Sequence, residues 1–482
     1  MSPPPPAPAS SVAPAAAAEV APWIRARVGD VGRPTAGLPP VRGGDHLPGE
    51  AGLVTGLRNL RAWMHTGVDF MRARVEHYGP VFRLPVGPIA TVAVADPEAI
   101  ERILRNDDRA WSAALGWRVF FDGIDPTRAT ADSPASFDFE PHKDIRRLLQ
   151  PGFSAAALAG YVEQAGAVIA PTIDGWLAAR RVTFKPAARR MFATIADRVF
   201  LGVEDPDEAA LLDRTMQAFW RGSIAVAKHP WLSPTWRRAT RAYAELRDRL
   251  RGQVDARRRG DAGDLFSRVC RAAPAIGWVD DDTLVACYLG LMAAAFDTTA
   301  CAVTSMAYLL ATHPPWQERL RAEALALGPG PLVAEQLKQL ELCDRAWRET
   351  LRRFPVAPDV PRRPLRDVEV AGHAIPAGAM VLALTAPLQL DPAVWTEPRA
   401  FDPDRFAPGR AEDRRRRGAY LPFGAGAHAC IGAQLASLEA KAFWHALLSR
   451  ARIRLAHPYH ARHELSPLGS VSGDVELIVE PA

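Results

Sequence analysis

The chain has 482 residues, of which 48% are hydrophobic and 23% charged, so it can bury a sizeable core. Its formal net charge of +5 is too small for this length to require nucleic acid as a partner. Five cysteines, odd in number and without a C-x-x-C pair, argue against a disulfide framework or a structural zinc site and fit a reducing, cytoplasmic setting.

Ser2 to Pro22 are rich in Pro and Ala. They lack both the basic start of a signal peptide and the roughly 20 apolar residues of a spanning helix. Residues 1–36 are therefore expected to form a disordered tail. Gly37-Leu38-Pro39-Pro40 to Pro48-Gly49 reads as a proline-rich approach to the folded part, and Val81 to Ala95 as a hairpin broken at Gly87-Pro88. In Pro141-His142-Lys143-Asp144-Ile145-Arg146-Arg147, His142 and Arg146 stand four apart and face one way on a helix. Helical periodicity continues over Leu211 to Ala227, Thr235 to Arg258 and Pro315 to Leu327. Strand-like runs are short: Val368 to Ile375, Met380 to Leu384 and Val475 to Val479. The pattern predicts a mainly α fold with a small β subdomain, and the lack of βαβ alternation argues against a doubly wound sheet.

One long apolar helix is predicted from about Asp280 to His313, with Asp280, Asp281 and Asp282 as N-terminal caps and Pro314-Pro315 as its stop. At 1.5 Å per residue it would extend about 50 Å, enough to cross a large domain. Asp297 sits mid-span, where an acid is costly in lipid and usually functional, so a core helix is expected and not a membrane span. Farther on, Glu349 and Arg352 share a face at i, i+3 on a helix ending before Phe354-Pro355. The run Arg414-Arg415-Arg416-Arg417 is expected to present a basic patch to an acidic partner.

Cys270, Cys287, Cys301 and Cys343 read as small buried hydrophobes. Cys430 differs. It ends a loop, Phe423-Gly424-Ala425-Gly426-Ala427-His428-Ala429-Cys430-Ile431-Gly432, in which Gly424, Gly426 and Gly432 permit positive φ and let backbone approach a flat ligand. An amphipathic helix, Gln434 to Ser449, follows at once, and its N-terminus would favour a metal-binding thiolate. The run matches F-G-x-G-x-H-x-C-x-G at every fixed position and so resembles the haem-binding loop of the cytochrome P-450 superfamily, in its soluble bacterial-type form.

From residue 37 to the end the resemblance implies a single haem-thiolate monooxygenase domain, in place of the about three domains that length alone would give. Haem b (iron protoporphyrin IX, heme b) would lie between the long central helix and the helix after the cysteine loop. Cys430 would be the proximal iron ligand, pushing electron density that favours O–O cleavage, with Phe423, Gly424 and Gly432 around it. His428, His142, Arg146 and either Arg362 or Arg363 would anchor the propionates, Arg362 being preferred on spacing. Ala294-Ala295-Phe296-Asp297-Thr298-Thr299 resembles the oxygen-binding segment A-G-x-D-T-T, with Ala295 replacing glycine and tightening the pocket slightly. Asp297 and Thr298 would be the proton-delivery pair. Glu349, Arg352 and Arg405, the last in Phe401-Asp402-Pro403-Asp404-Arg405-Phe406, would form the buried triad that locks the loop behind the haem.

The implied reaction inserts one oxygen atom of O2 into a hydrophobic small molecule, such as a terpenoid, steroid or fatty acid. The pocket would draw on Trp117, Phe120, Met292, Ala295, Val356, Val360 and Leu468. No flavin or iron–sulfur motif occupies the chain, so electrons would come from a separate ferredoxin or flavodoxin with its NAD(P)H reductase. The protein is expected to be a cytoplasmic monomer without membrane anchor or nucleic-acid partner. Two other readings are a peroxide-driven haem peroxygenase, in which Asp297-Thr298 would have no task, and a non-catalytic haem sensor or carrier.

Overall fold

The computed structural model describes residues 44–121, 133–223, 225, 228, 229, 231–328, 330–465 and 468–481; the tail expected over 1–36 lies outside the described residues. After helix α1 (Leu53–Tyr78), the expected hairpin forms from β1 (Val81–Arg83) and β2 (Val92–Val94), antiparallel with Phe82 opposite Ala93. Helix α2 (Pro97–Arg105) starts where the Asp96 carboxylate accepts from Ala99 N at 2.8 Å and stops at Asn106, which adopts a left-handed conformation. Its Ile100, Ile103 and Leu104 bury the i, i+3, i+4 face.

Strand β3 (Trp111–Ser112) leads straight into α3 (Ala113–Phe121), and α4 (Phe139–Leu149), α5 (Ala155–Ala179), β4 (Arg181–Thr183) and α6 (Phe184–Ala196) follow. A π turn over Asp197–Leu201 continues α6. Helices α7 (Pro206–Ser223) and α8 (Pro234–Arg259) pack against each other, and α9 (Leu265–Ala272) packs on α8.

Helix α10 (Asp281–Thr312) is the axis of the molecule. Asp280 caps it by accepting from Thr283 N at 2.7 Å, and Pro314 opens α11 (Pro314–Ala326) immediately after its end. It is long and apolar enough to cross a membrane, yet most of it is enclosed by this fold, with α6, α8, α13 (Glu341–Arg353, after the short α12, Ala334–Leu337) and the C-terminal strands packed around it. The main hydrophobic core surrounds it and includes Phe296, Met306, Trp347 and Phe443.

Strands β5 (Val360–Pro364), β6 (Val368–Val370), β7 (His373–Ile375) and β8 (Val381–Ala383) come next, then the short α14 (Thr385–Leu388). Helix α15 (Ala433–Leu448) precedes β9 (Ala451–Leu455), β10 (His463–Leu465), β11 (Gly469–Val471) and β12 (Glu476–Pro481). The largest sheet has the order β1-β2-β8-β5-β3, with β2 and β8 parallel and the other pairs antiparallel. The architecture is mainly helical with small sheets, as the periodicity predicts, and it brings α10, the cysteine loop, α4 and β5 around one site.

Candidate active site

The cysteine loop is held by close backbone contacts. Gly426 has φ +69, and a Cβ there would sit 2.4 Å from Leu104 O and 2.6 Å from Arg105 Cα, so only glycine lets α2 approach. Gly424 also takes positive φ (+71), whereas a Cβ at it would meet nothing within 4 Å. The expectation of positive φ fails at Gly432, whose φ is −86; a Cβ there would lie 3.9 Å from Cys430 Sγ. Cys430 N donates to Phe423 O at 2.9 Å, closing the loop.

Cys430 is exposed, whereas Cys270, Cys287, Cys301 and Cys343 are buried, as expected. Although Cys430 opens onto free space, the protein packed around its other sides desolvates the thiol and pushes it up, against the opposing pull of the Gly432 amide, Arg146 and the Ala433 amide. The helix N-terminus thus acts in the predicted direction but does not win alone, and a bound metal would complete the deprotonation.

Behind the loop lies a buried ionic lattice. Glu349 accepts from Arg352 Nε at 2.7 Å and Nη2 at 2.8 Å, and Arg405 Nε donates to Glu349 at 3.1 Å. All three side chains are fully buried, and Arg352 Nη1 also donates to Gln389 O at 2.6 Å and Pro398 O at 2.8 Å. Glu412, which sequence reasoning missed, is equally buried and accepts from Arg405 Nη1 at 2.8 Å. Burial opposes its ionisation, but Arg410, the Thr396 amide and Arg405 hold its carboxyl down at about 2. Within the arginine run, Arg415 pairs with Glu412, Arg416 with Glu98 at 2.7 Å and Arg417 with Glu101 at 2.6 Å, the last two fastening the loop's approach to α2.

On one side of the loop, α4 and β5 gather guanidinium and imidazole groups. The His142 and His428 rings stack with centroids 3.8 Å apart, and Arg146 Nη1 donates to Ala429 O at 3.0 Å. Arg362 is buried, and its Nη1 donates to Pro361 O at 2.8 Å. Asp138, another residue missed, stands 3.6 Å from His428 Nε2, but its carboxylate already accepts from Ala113 N at 2.9 Å and from Ser112 Oγ. It occupies the start of α4 yet caps α3, a long-range use that the local sequence does not announce.

Burial pushes Arg362 down to about 10, and burial followed by repulsion from His428, Arg146 and Arg362 pushes His142 down to about 3. Such a cluster is unfavourable alone and fits a ligand carrying two carboxylates. Arg363, adjacent on β5, turns to Gly378 O at 3.5 Å, which supports Arg362 as the residue facing the site.

The opposite wall is α10. Its midsection is buried at Met292, Ala293, Phe296 and Asp297, but Ala294 is exposed and Ala295 and Thr298 are half-buried, which marks a one-sided window. Thr298 Oγ1 donates to Ala294 O at 3.0 Å, and Trp220 Nε1 on α7 donates to Ala293 O at 2.9 Å. Arg189 on α6, also missed, donates from Nε to Asp297 Oδ1 at 2.5 Å. Burial nevertheless raises the Asp297 carboxyl, with Arg189 opposing. Glu439 on α15 is buried against Thr299 and pushed up to about 8 by that burial.

Of the expected pocket residues, Trp117 and Phe120 are half-buried on α3 with ring centroids 5.8 Å apart. A Cβ on neighbouring Gly116 would lie 2.6 Å from Pro361 O, so α3 rests directly on β5, which carries Val360. Gly469 N donates to Val356 O at 2.8 Å, bringing Leu468 beside Val356. Met292 is a correction: it is fully buried in the main core, about 200° around the helix from Ala294, and lines no open surface.

The cytochrome P-450 family profile matches residues 54–467. The chain belongs to the cytochrome P-450 family. A relative named cytochrome P-450 136, from Mycobacterium tuberculosis, is 32% identical over 456 residues, covering 92% of this chain and 90% of its own. Cyclooctat-9-en-7-ol 5-monooxygenase of Streptomyces melanosporofaciens is 29% identical, covering 79% of this chain and 84% of its own. The solved structure of retinoic acid-bound cyanobacterial CYP120A1 superposes with a TM-score of 0.78 at 23% identity, over 87% of this chain and 96% of that one, which shows the shared fold. This P-450 is accordingly a haem b monooxygenase, an oxidoreductase using O2. The thiol of Cys430 and the cluster of Arg146, Arg362, His142 and His428 fit that cofactor: the one would supply a metal ligand, the other guanidiniums and imidazoles that would meet the propionates.

Proposed function

We propose that this P-450 inserts one oxygen atom from O2 into a hydrophobic small molecule of terpenoid, steroid or fatty-acid character, using electrons from a separate ferredoxin or flavodoxin and its NAD(P)H reductase. The observation that carries the reading is the placement of an exposed Cys430 thiol in a fold whose central helix exposes Ala294, Ala295 and Thr298 between buried neighbours. Bound haem would supply the oxygen activation. Cys430 would ligate it, and His142, Arg146, Arg362 and His428 would hold its propionates. Asp297 receives a proton at Oδ and passes it on beside the Thr298 hydroxyl, which aligns the donor side.

Trp117, Phe120, Val356, Val360 and Leu468 give the substrate side an apolar lining and exclude water. The relative named as a cyclooctat-9-en-7-ol monooxygenase supports a largely hydrocarbon substrate. The protein acts as a cytoplasmic monomer in this reading.

The test reconstitutes the haem-loaded chain with a ferredoxin or flavodoxin and its reductase, screens a hydrophobic library for spin-state shifts, and supplies isotopically labelled O2 to the compounds that shift. Product carrying one labelled oxygen is expected. Spin-state shifts without oxygenated product under full electron supply would overturn the reading in favour of a haem sensor.

A further inference from the structure

We infer that Asp359 is the polar anchor of the substrate side, and that the substrate is an apolar molecule bearing a hydroxyl group which this carboxyl group recognises. The inference rests on the proposed reading of a hydrophobic small-molecule substrate and narrows it: an alcohol is selected and a free fatty acid rejected.

Asp359 stands between Val356 and Val360 of the proposed apolar lining, on a stretch of chain that is fixed from several directions. Pro355, Pro358 and Pro361 restrict its backbone. Pro355 O accepts from His463 Nε2 of β10 at 2.7 Å, Val356 O from Gly469 N of β11 at 2.8 Å, and Pro358 O from Ala386 N of α14 at 3.0 Å. So tethered a backbone leaves Asp359 little freedom to turn outward to water.

The register of β5 on β8 gives the face. Val360 lies opposite Ala383 and Arg362 opposite Val381, so these two side chains share one face of the sheet. Pro361 lies opposite Leu382, and Asp359, two residues earlier, falls on that other face. The face is apolar: Leu382 and Leu384 pack with Phe70 and Met71 of α1 and with half-buried Val119 of α3, the helix that carries Trp117 and Phe120.

A carboxyl is out of place in such company. Asp359 is 9% exposed and, among the described residues, has no hydrogen-bond or ion-pair partner. Asp138, Glu349 and Glu412 are buried too, but they accept from amides or guanidiniums. Stranding a buried carboxyl costs free energy that no contact within the chain offsets, so a group on the substrate is the partner it is built to meet.

The chemistry of the carboxyl selects that group. Burial, with no neighbouring charge acting, pushes Asp359 up to about 7, so near neutral pH both its acid and its anion are populated. A hydroxyl serves both forms, donating to the anion and accepting from the acid. An ammonium would require two ions to be stripped of water side by side in apolar surroundings. A carboxylate would meet like charge or have to take up a proton.

The test uses the full-length haem-loaded chain and its Asp359→Leu and Asp359→Asn variants. The probes are an alcohol, its methyl ether and the parent hydrocarbon, on the terpenoid or steroid skeleton that gives the largest spin-state shift, together with dodecanol and dodecanoic acid. Dissociation constants are read from the spin-state shift and, independently, by calorimetry. The wild type should bind the alcohol about tenfold tighter than its ether or hydrocarbon, and dodecanol tighter than dodecanoic acid, because a site built around a hydrogen-bonding group rejects analogues that leave it unpaired. Asp359→Leu should bring alcohol and ether within about twofold of each other, while its denaturation midpoint holds or rises because an unpartnered buried acid has been removed. Asp359→Asn, whose amide still donates and accepts, should keep part of the preference. Equal binding of alcohol and ether by the wild type, an alcohol preference that survives Asp359→Leu, or tighter binding of dodecanoic acid than of dodecanol overturns the anchor. A wild type that binds and oxygenates no hydrophobic compound overturns the reading of the substrate side itself, a different result.

Discussion

The two walls of the site are built on opposite principles. Behind Cys430, Glu349, Arg352, Arg405 and Glu412 are fully buried, and the carboxylates and guanidiniums meet one another or backbone carbonyls at hydrogen-bond distances. On the α10 side, Asp297 shares one arginine with Asp213, and buried polar atoms remain without partners. A saturated network fixes a geometry, because moving any member strands a charge. An undersaturated one costs stability but leaves groups free to exchange partners and protons. The first wall is made to hold a ligand still, and the second to change state.

The contrast breaks most visibly at the lattice. Glu349→Gln leaves Arg352 and Arg405 short of a counter-charge in a fully buried site and should cost about 3–5 kcal/mol, read as a fall in denaturant midpoint together with poor haem retention. A loss under about 1 kcal/mol would mean that Glu412 and the carbonyls suffice without it.

On the opposite wall the effect should be kinetic instead. Asp297→Asn should lower O2-driven kcat by about a hundredfold while leaving the denaturation midpoint nearly unchanged or raised, since burial already disfavours its charge. A large stability loss would place Asp297 among the structural acids.

Arg362 and Arg363 sharpen the same division within one strand. Arg362→Leu should speed haem loss to an acceptor protein by about tenfold, as expected for one lost charge-assisted hydrogen bond, whereas Arg363→Leu should change it little. Equal effects would contradict the assignment.

The smallest effect concerns pH. Burial raises Glu439 from its ordinary value of 4.5 to about 8 in the folded chain. Between those values the folded chain keeps a proton that the unfolded chain has released, so this residue's contribution to stability falls as pH rises from about 4.5 to about 8 and is flat above. Glu439→Gln should therefore melt with the wild type near pH 4 and a few degrees above it at pH 8. A Tm difference that does not vary with pH would show that Glu439 is ionised in place.

What the sequence disclosed follows the range of the interaction. The Asp280 cap, the hairpin around Gly87, the Glu349–Arg352 pair and the cysteine loop are written within a few residues of chain and were readable there. Arg189 with Asp297, the Asp138 carboxylate with the Ala113 amide, and Glu412 with Arg405 each bury a charged residue whose usual place is the solvated surface, and nothing local to that residue announces its partner. Arg416 and Arg417 likewise meet Glu98 and Glu101, far away in the chain, which a local reading of the arginine run does not count. Met292 was misplaced by helical phase, since two positions along α10 turn a side chain from the window to the core.

The central claim is that Cys430 binds haem iron through sulfur. The ferrous carbonyl spectrum of the haem-loaded chain tests it most directly. A strongly red-shifted Soret band in the wild type, absent in Cys430→Ala, is the predicted result; an unshifted band in the wild type, or a shifted band that survives Cys430→Ala, would contradict it.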